Sequence, residues 1–275
     1  MKYNLADIKE KRIPLLYEKA FLHFFKSSNL IYYFQTVAPK FNNEEPVPVY
    51  RSVIHYTESF PDEYIVDINK LSYRPEKDVN SFGRINRPMQ AYFYASGECE
   101  TCWSELYKRI ISELKKKEEI VITTSRWILQ RDLNVCVIPD FDNTDELMRK
   151  FIQKIESMNL ITHEQKVFLK SINEFFREED DNSNIYQVTS AFCNSILNDT
   201  FIQKKNIDGF FYTSVKNGEG YNIALFSSLI DKKDLIPTSL VRTAILKKDI
   251  DKKEFYCRPY TEAKSIDIDS GRIIW

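Results

Sequence analysis

The sequence predicts an α+β fold, with mixed strands at the core and helices outside. Three observations lead there. Segments rich in β-branched and aromatic residues recur on both sides of the middle of the chain, at Val47–Ile54, Gln90–Ser96, Glu119–Ile138 and Gly209–Phe226. Between the third and the fourth lies a block with helical spacing, Asp142–Lys205. The 275 residues are 43% hydrophobic, enough for a sizeable core and against a disordered chain.

Near the N-terminus, Leu16, Ala20, Phe21, Phe24 and Phe25 recur at helical spacing and Pro14 suits a first helical position. A helix is therefore expected from Pro14 to about Tyr33. Phe41–Pro48 is polar and proline-bearing and reads as a linker. Val47, Val49, Ser52, Val53 and Ile54 flank Tyr50-Arg51 and predict a strand, with Pro48 near its start, where a missing donor matters least. Thr57–Ser81, rich in Pro, Asp, Asn and Lys, reads as a long irregular connection.

The stretch Phe82–Ser96 opens as a tight glycine turn carrying Arg84, Asn86 and Arg87, becomes an aromatic strand, and ends on Ser96. Ser96 is placed to cap a following helix, with Glu98 and Glu100 favourable in its first turn. Cys102, Trp103, Leu106, Ile110 and Leu114 mark the buried face of that helix. Glu105 lies off this face; by periodicity it is an exposed residue paired with Arg109 at i,i+4. Guanidinium, aromatic rings, hydroxyl and one carboxylate thus share a single turn-strand-helix unit, a mixture that suits a flat, doubly charged ligand.

Glu119–Thr124 and Trp127–Ile138 predict two strands, and Asp140–Lys150 opens a helix. Thr162–Arg177 is another, with Gln165 three residues after Thr162 in a capping-box pattern. Glu178–Asn184 is an acidic break and Ile185–Lys205 a third helix. Gly209–Ser214 is a strand ending in a hydroxyl, Lys216–Gly220 a turn, and Tyr221–Phe226 the returning hairpin strand. Leu235–Leu246 and Phe255–Trp275 read as further strands and turns.

Several function classes drop out. A net charge of -1 argues against a general nucleic-acid or membrane-surface binder. No early apolar run with a cleavage site suggests a signal peptide, and no apolar stretch is long enough to span a bilayer. Five cysteines, an odd count without a regular framework, fit a reducing cytosol, so a cytoplasmic location is expected. Cys99-Glu100-Thr101-Cys102 has no second pair at zinc-ligand spacing and reads as two incidental cysteines; no metal is expected. Asp140–Asp145 lacks the Gly and the terminal Glu of a calcium loop, and helix capping explains it better. There is no GxSxG elbow, and His23, His55 and His163 are the only imidazole bases.

What remains is a site of arginine, carboxylate, hydroxyl and tyrosine. Arginine holds a diphosphate through bidentate, charge-assisted bonds. Tyrosine offers a stacking face for a planar base. A lone carboxylate stabilises a ribose oxocarbenium ion and orients its hydroxyls. A second carboxylate is dispensable where the leaving group is already a cation that departs as a neutral molecule, as nicotinamide does from NAD+. This set fits cleavage of the nicotinamide-ribose bond.

The order of motifs is familiar. Tyr50-Arg51, then Gly83-Arg84-Ile85-Asn86, then Tyr92-Phe93-Tyr94-Ala95-Ser96 with Ser104-Glu105-Leu106, then Gly209–Ser214 and Asn222-Ile223-Ala224-Leu225-Phe226, resembles the RES domain, named for its Arg, Glu and Ser. The resemblance covers about Val47–Ser125 and Asp208–Phe226. It implies a fold similar to ADP-ribosyltransferases, with mixed strands around a cleft, and a bacterial toxin that consumes NAD+ and is held by an antitoxin blocking its active site. Arg51 would match the first family arginine, Arg84 the arginine of the Gly-Arg-x-Asn turn, Tyr94 the tyrosine of the aromatic strand, and Glu105 and Ser214 the name-giving pair.

The roles that follow are Glu105, Arg51 and Ser214 in catalysis, and Arg51, Arg84, Asn86, Tyr94 and Ser96 in binding NAD+ as substrate. The sequence departs from the family in having one glycine before Arg84 and Ile85 where an aromatic is common. The expected division is an N-terminal helical segment over 1–45, a RES-like catalytic domain over 46–232 with a helical insertion at about 142–205, and a strand-rich extension over 233–275. Beyond NAD+, an inhibitor protein and a second copy of the chain are the partners this reading allows. ADP-ribosyl transfer to a macromolecule and a non-catalytic nucleotide-binding module are the rival functions.

Overall fold

The computed structural model describes residues 21, 33–37, 40–41, 45–55, 65–142, 145–157, 161–178, 184–198, 206–214, 220–249, 251–252 and 254–275. Its strands, in chain order, are β1 (Tyr33–Val37), β2 (Lys40–Phe41), β3 (Glu45–Pro46), β4 (Pro48–Ile54), β5 (Tyr92–Ser96), β6 (Glu119–Leu129), β7 (Leu133–Val137), β8 (Gly209–Thr213), β9 (Tyr221–Phe226), β10 (Leu235–Asp249), β11 (Glu254–Glu262), β12 (Ser265–Ile266) and β13 (Ile273–Ile274). The helices are α1 (Cys99–Leu114), α2 (Glu146–Ser157), α3 (His163–Arg177), α4 (Asn184–Leu197) and the short α5 (Ser228–Asp231). The fold is mixed α and β, and no described helix is long and apolar enough to cross a membrane.

The chain forms two compact units, each assembled from three segments. The first takes Met1–Val37, Arg74–Tyr92 and Leu133–Phe226. Its strands run in the order β1-β7-β8-β9. β7 and β8 are parallel, with Val135 opposite Gly209 and Val137 opposite Phe211, while β1 and β9 join antiparallel. Parallel neighbours need a long crossover, and α2, α3 and α4 supply it. The helical block therefore has a topological reason to exist. β8 is buried throughout, as a strand covered on both faces should be. An aromatic cluster fills the helix side, where Phe21 meets Phe168 and Phe192 edge-on and Phe176 packs on Tyr212 at 5.6 Å. A Cβ on Gly209 would lie 2.2 Å from the Ala224 carbonyl oxygen, so only glycine permits β8 and β9 to pair this closely.

The second unit takes Ala38–Tyr73, Phe93–Asp132 and Ser227–Trp275. Its strands are ordered β5-β4-β6-β10-β11, all antiparallel. α1 packs on β4 and β6, where Ile54, Ile110, Leu114, Ile120, Ile122 and Ile245 form a buried cluster edged by Trp103, Leu106 and Phe255. The buried face of α1 is the expected one.

Several boundaries differ from expectation. Tyr33 belongs to β1, not to the N-terminal helix, because Tyr33–Val37 pairs with Leu133–Val137 along its whole length; Phe21 is helical, and the rest of that helix lies outside the described residues. The Phe41–Pro48 linker takes in the last residue of β2, all of its partner β3 and the first residue of β4. The irregular Thr57–Ser81 connection holds two short 3₁₀ turns, Ile68–Leu71 and Glu76–Asp78, its first residues lying outside the described ones. β6 runs unbroken past Ser125 and Arg126 because β4 and β10 flank it; the break comes at 130–132 instead. The Lys216–Gly220 turn lies outside the described residues up to Glu219.

Candidate active site

In the second unit, β5 leads straight into α1. Four of its five residues are buried and only Tyr94 is half-exposed. Ser96 pairs with Tyr50 of β4 and is buried. It does not cap α1: β5 runs through Ser96, Gly97 intervenes, and Glu98 takes the cap position, its carbonyl accepting from Cys102 N at 3.1 Å. Glu105 lies two turns into the helix and is half-buried.

A polar network fixes α1 against the strands behind it. Ser52 Oγ and Thr124 Oγ1 lie 2.7 Å apart on paired strands, and Trp103 Nε1 of α1 donates to Thr124 Oγ1 at 2.9 Å. Burial pushes the Cys102 thiol up; hydrogen bonds with Ser52 and the charge of Arg51 draw it down, and Glu105 pushes it up again. Arg51 and Glu105 thus act on the same sulfur. Burial, with Cys102 and Glu100 beside it, pushes Cys99 up to about 11. Both thiols are protonated at neutral pH and are not activated nucleophiles.

Arg51 clamps backbone as well as carrying charge. Strand alternation turns Ser52 to α1 and Arg51 to the reverse face, where its guanidinium lies over the Phe93 ring, 5.5 Å from the centroid. Its Nε donates to the Leu71 carbonyl at 3.1 Å and its Nη1 to the Tyr94 carbonyl at 2.8 Å. Arg51 therefore holds the strand that presents Tyr94. On the same face His55 is buried and hydrogen-bonded to Thr123 Oγ1; burial, then the charge of Arg242, lowers its pKa to about 4. It is a neutral packed imidazole.

In the first unit the glycine turn folds on itself, Gly83 N donating to the Asn86 carbonyl at 3.0 Å. Asn86 Nδ2 donates to the carbonyls of Ser81, at 3.3 Å, and Arg87, at 2.9 Å, so this side chain shapes the turn. Helix α4 grips the turn from outside: Asn194 Nδ2 donates to the Ile85 carbonyl at 3.3 Å and Gln90 Nε2 to Asn194 Oδ1 at 2.9 Å. Arg84 is buried, and its Nη1 donates to the carbonyls of Phe176, at 2.6 Å, and Glu178, at 3.0 Å, where α3 ends. Tyr186 of α4 lies against the guanidinium, 5.2 Å from its ring centroid. Ser214 follows β8, is buried, and donates its N–H to the Gly220 carbonyl at 2.9 Å. Phe176 links the two parts of this unit, since its carbonyl takes Arg84 and its ring packs on Tyr212, two residues before Ser214.

The structure thus gathers Arg51, Tyr94, Ser96 and Glu105 in one unit and Arg84, Asn86 and Ser214 in the other. Sequence reasoning missed the residues that hold them, namely Trp103, Thr124, Phe176, Tyr186 and Asn194. One signal was available: the run Thr189-Ser190 and Asn194-Ser195 puts hydroxyls and an amide on a helix that is otherwise apolar, and buried polar groups require partners.

No curated protein matches the chain. The family model for the RES domain matches residues 60–244, about two thirds of the sequence. That span begins after Arg51 and takes in Arg84, Asn86, Tyr94, Ser96, Glu105 and Ser214. The chain belongs to the RES domain family.

Proposed function

We propose that the protein is an NAD+ glycohydrolase with an ADP-ribosyltransferase-like fold. The reaction is NAD+ plus water giving ADP-ribose, nicotinamide and a proton. The carrying observation is that a RES-family span holds a half-buried carboxylate, Glu105, on the helix that follows the Tyr94 strand. Its negative charge stabilises the oxocarbenium ion that forms as the nicotinamide-ribose bond breaks, and the electrons of that bond leave on nicotinamide, which departs neutral. Arg84 and Arg51 supply positive charge for the diphosphate. Tyr94, the accessible ring of β5, stacks on a base, and Ser96 stands beside it on the same strand face. Ser214 hydrogen-bonds the nicotinamide-ribose end, and Asn86 keeps the Arg84 turn in shape.

On this reading the protein is a toxin or defence effector acting in the cytoplasm, without a metal, restrained by an inhibitor protein, and able to self-associate. Purified protein incubated with NAD+ should release nicotinamide and ADP-ribose in equal amounts. NAD+ labelled in its ADP-ribose part separates this from transfer, since only transfer leaves label on a macromolecule. Absence of nicotinamide release would sink the proposal.

A further inference from the structure

The helical crossover does more than join β7 to β8, because α3 and α4 supply the contacts described for the Arg84 guanidinium. Nη1 carries two hydrogens, and the carbonyls of Phe176 and Glu178 take both, at 2.6 and 3.0 Å. Carbonyls at a helix C-terminus lack intrahelical partners and carry partial negative charge, so they draw a cation. The Tyr186 ring covers one face of the group at 5.2 Å and blocks tilting out of plane. With one nitrogen pinned and one face covered, the direction of the opposite edge, Nε–Nη2, is fixed. That edge is the planar fork that meets a phosphate with two parallel bonds. A guanidinium already fixed loses little freedom when it binds.

We infer that Tyr186 is a positioning residue that acts through Arg84, so that α4 takes part in diphosphate recognition. The inference rests on the reading of Arg84 as a diphosphate residue. A helix that merely filled space would give Tyr186 no such role.

The test is Tyr186→Leu beside Arg84→Ala and the double variant, each with its melting temperature. Loss of the ring should raise KM for NAD+ roughly three- to thirty-fold, the range of a cation–π contact, with kcat within about twofold. Inhibition by ADP-ribose should weaken by the same factor. Inhibition by nicotinamide, which has no phosphate, should stay parental. Tyr186→Phe keeps the ring and should restore the parental KM. In the Arg84→Ala background Tyr186→Leu should add nothing, because the two act as one unit. Should Tyr186→Leu fail to fold, Tyr186→Met, unbranched and suited to a helix, takes its place.

A parental KM in Tyr186→Leu, with a raised KM in Arg84→Ala, overturns the inference and leaves the function intact. Equal weakening of ADP-ribose and nicotinamide also overturns it, as general damage. A parental KM in Arg84→Ala overturns both the inference and the assignment of Arg84.

Discussion

Glu105 and Arg84 are held in opposite ways. Glu105 rides on regular structure, an amphipathic helix laid across paired strands, with the Trp103–Thr124–Ser52 bonds fixing its register. Arg84 sits in an irregular turn gripped by helices whose residues come 92 to 109 positions later in the chain, as in Arg84 to Phe176 and Ile85 to Asn194. A residue carried by regular structure has little structural duty of its own, because its neighbours keep the fold. One that fastens irregular structure has both duties at once. Mutation should therefore separate activity from stability at Glu105 and join them at Arg84.

The largest effect is expected for Glu105→Gln. The amide keeps the shape and loses the charge, so nicotinamide release should fall ~10²–10³-fold while the melting temperature stays near parental. Next comes Arg84→Ala. It removes charged hydrogen bonds at the end of α3, typically about 1.5–3 kcal/mol, so thermal melting should show a loss of that size as well as a higher KM. A parental melting temperature with a raised KM would break the contrast.

Acid should then single out the strand-based region. Folding lowers the His55 pKa from 6.5 to about 4 by burial and by Arg242. Above pH 6.5 His55 is neutral in both states and contributes nothing. As pH falls from 6.5 towards 4 the unfolded chain takes up a proton that the folded chain refuses, so stability drops across that window. The loss is about 2 kcal/mol after allowing for solvent screening. Hydrogen exchange should quicken in β4 and β6 before α3 and α4, and His55→Gln should flatten the dependence. Uniform quickening in both regions would remove the distinction. The smallest change is Thr124→Val, which takes an acceptor from Trp103 and Ser52 at a cost of about 1 kcal/mol. It should lower kcat more than Arg126→Lys, a half-buried neighbour on the same strand; equal kinetics would show that Glu105 does not depend on this network.

The same contrast explains what the sequence reveals. Trp103, Leu106, Ile110 and Leu114 recur at helical spacing, so α1 and its buried face were legible, as was the Thr162–Gln165 capping box of α3. β-branched residues marked β4, consecutive aromatic residues marked β8, and the Lys216–Gly220 turn marked β9 as its returning hairpin strand. The grip of Phe176, Tyr186 and Asn194 on the Arg84 turn has no local period. It depends on which distant carbonyl or ring the crossover brings back, and spacing carries no record of that. Ser96 misled for a related reason: a serine before a helix looks like a cap, but the pairing of Ser96 with Tyr50 decided its place.

The alternation of chain segments between the two units has a kinetic consequence. β10 pairs with β6 across more than a hundred residues, Leu246 with Glu119 and Leu235 with Leu129, and the second unit needs both. Closing such long loops precedes the contacts that reward it, so folding should be slow and cooperative, with exposed strand edges on the way. A cut at any single peptide bond between the units would not release either as an independent fragment. Recombinant halves should be insoluble alone and recover activity only when refolded together.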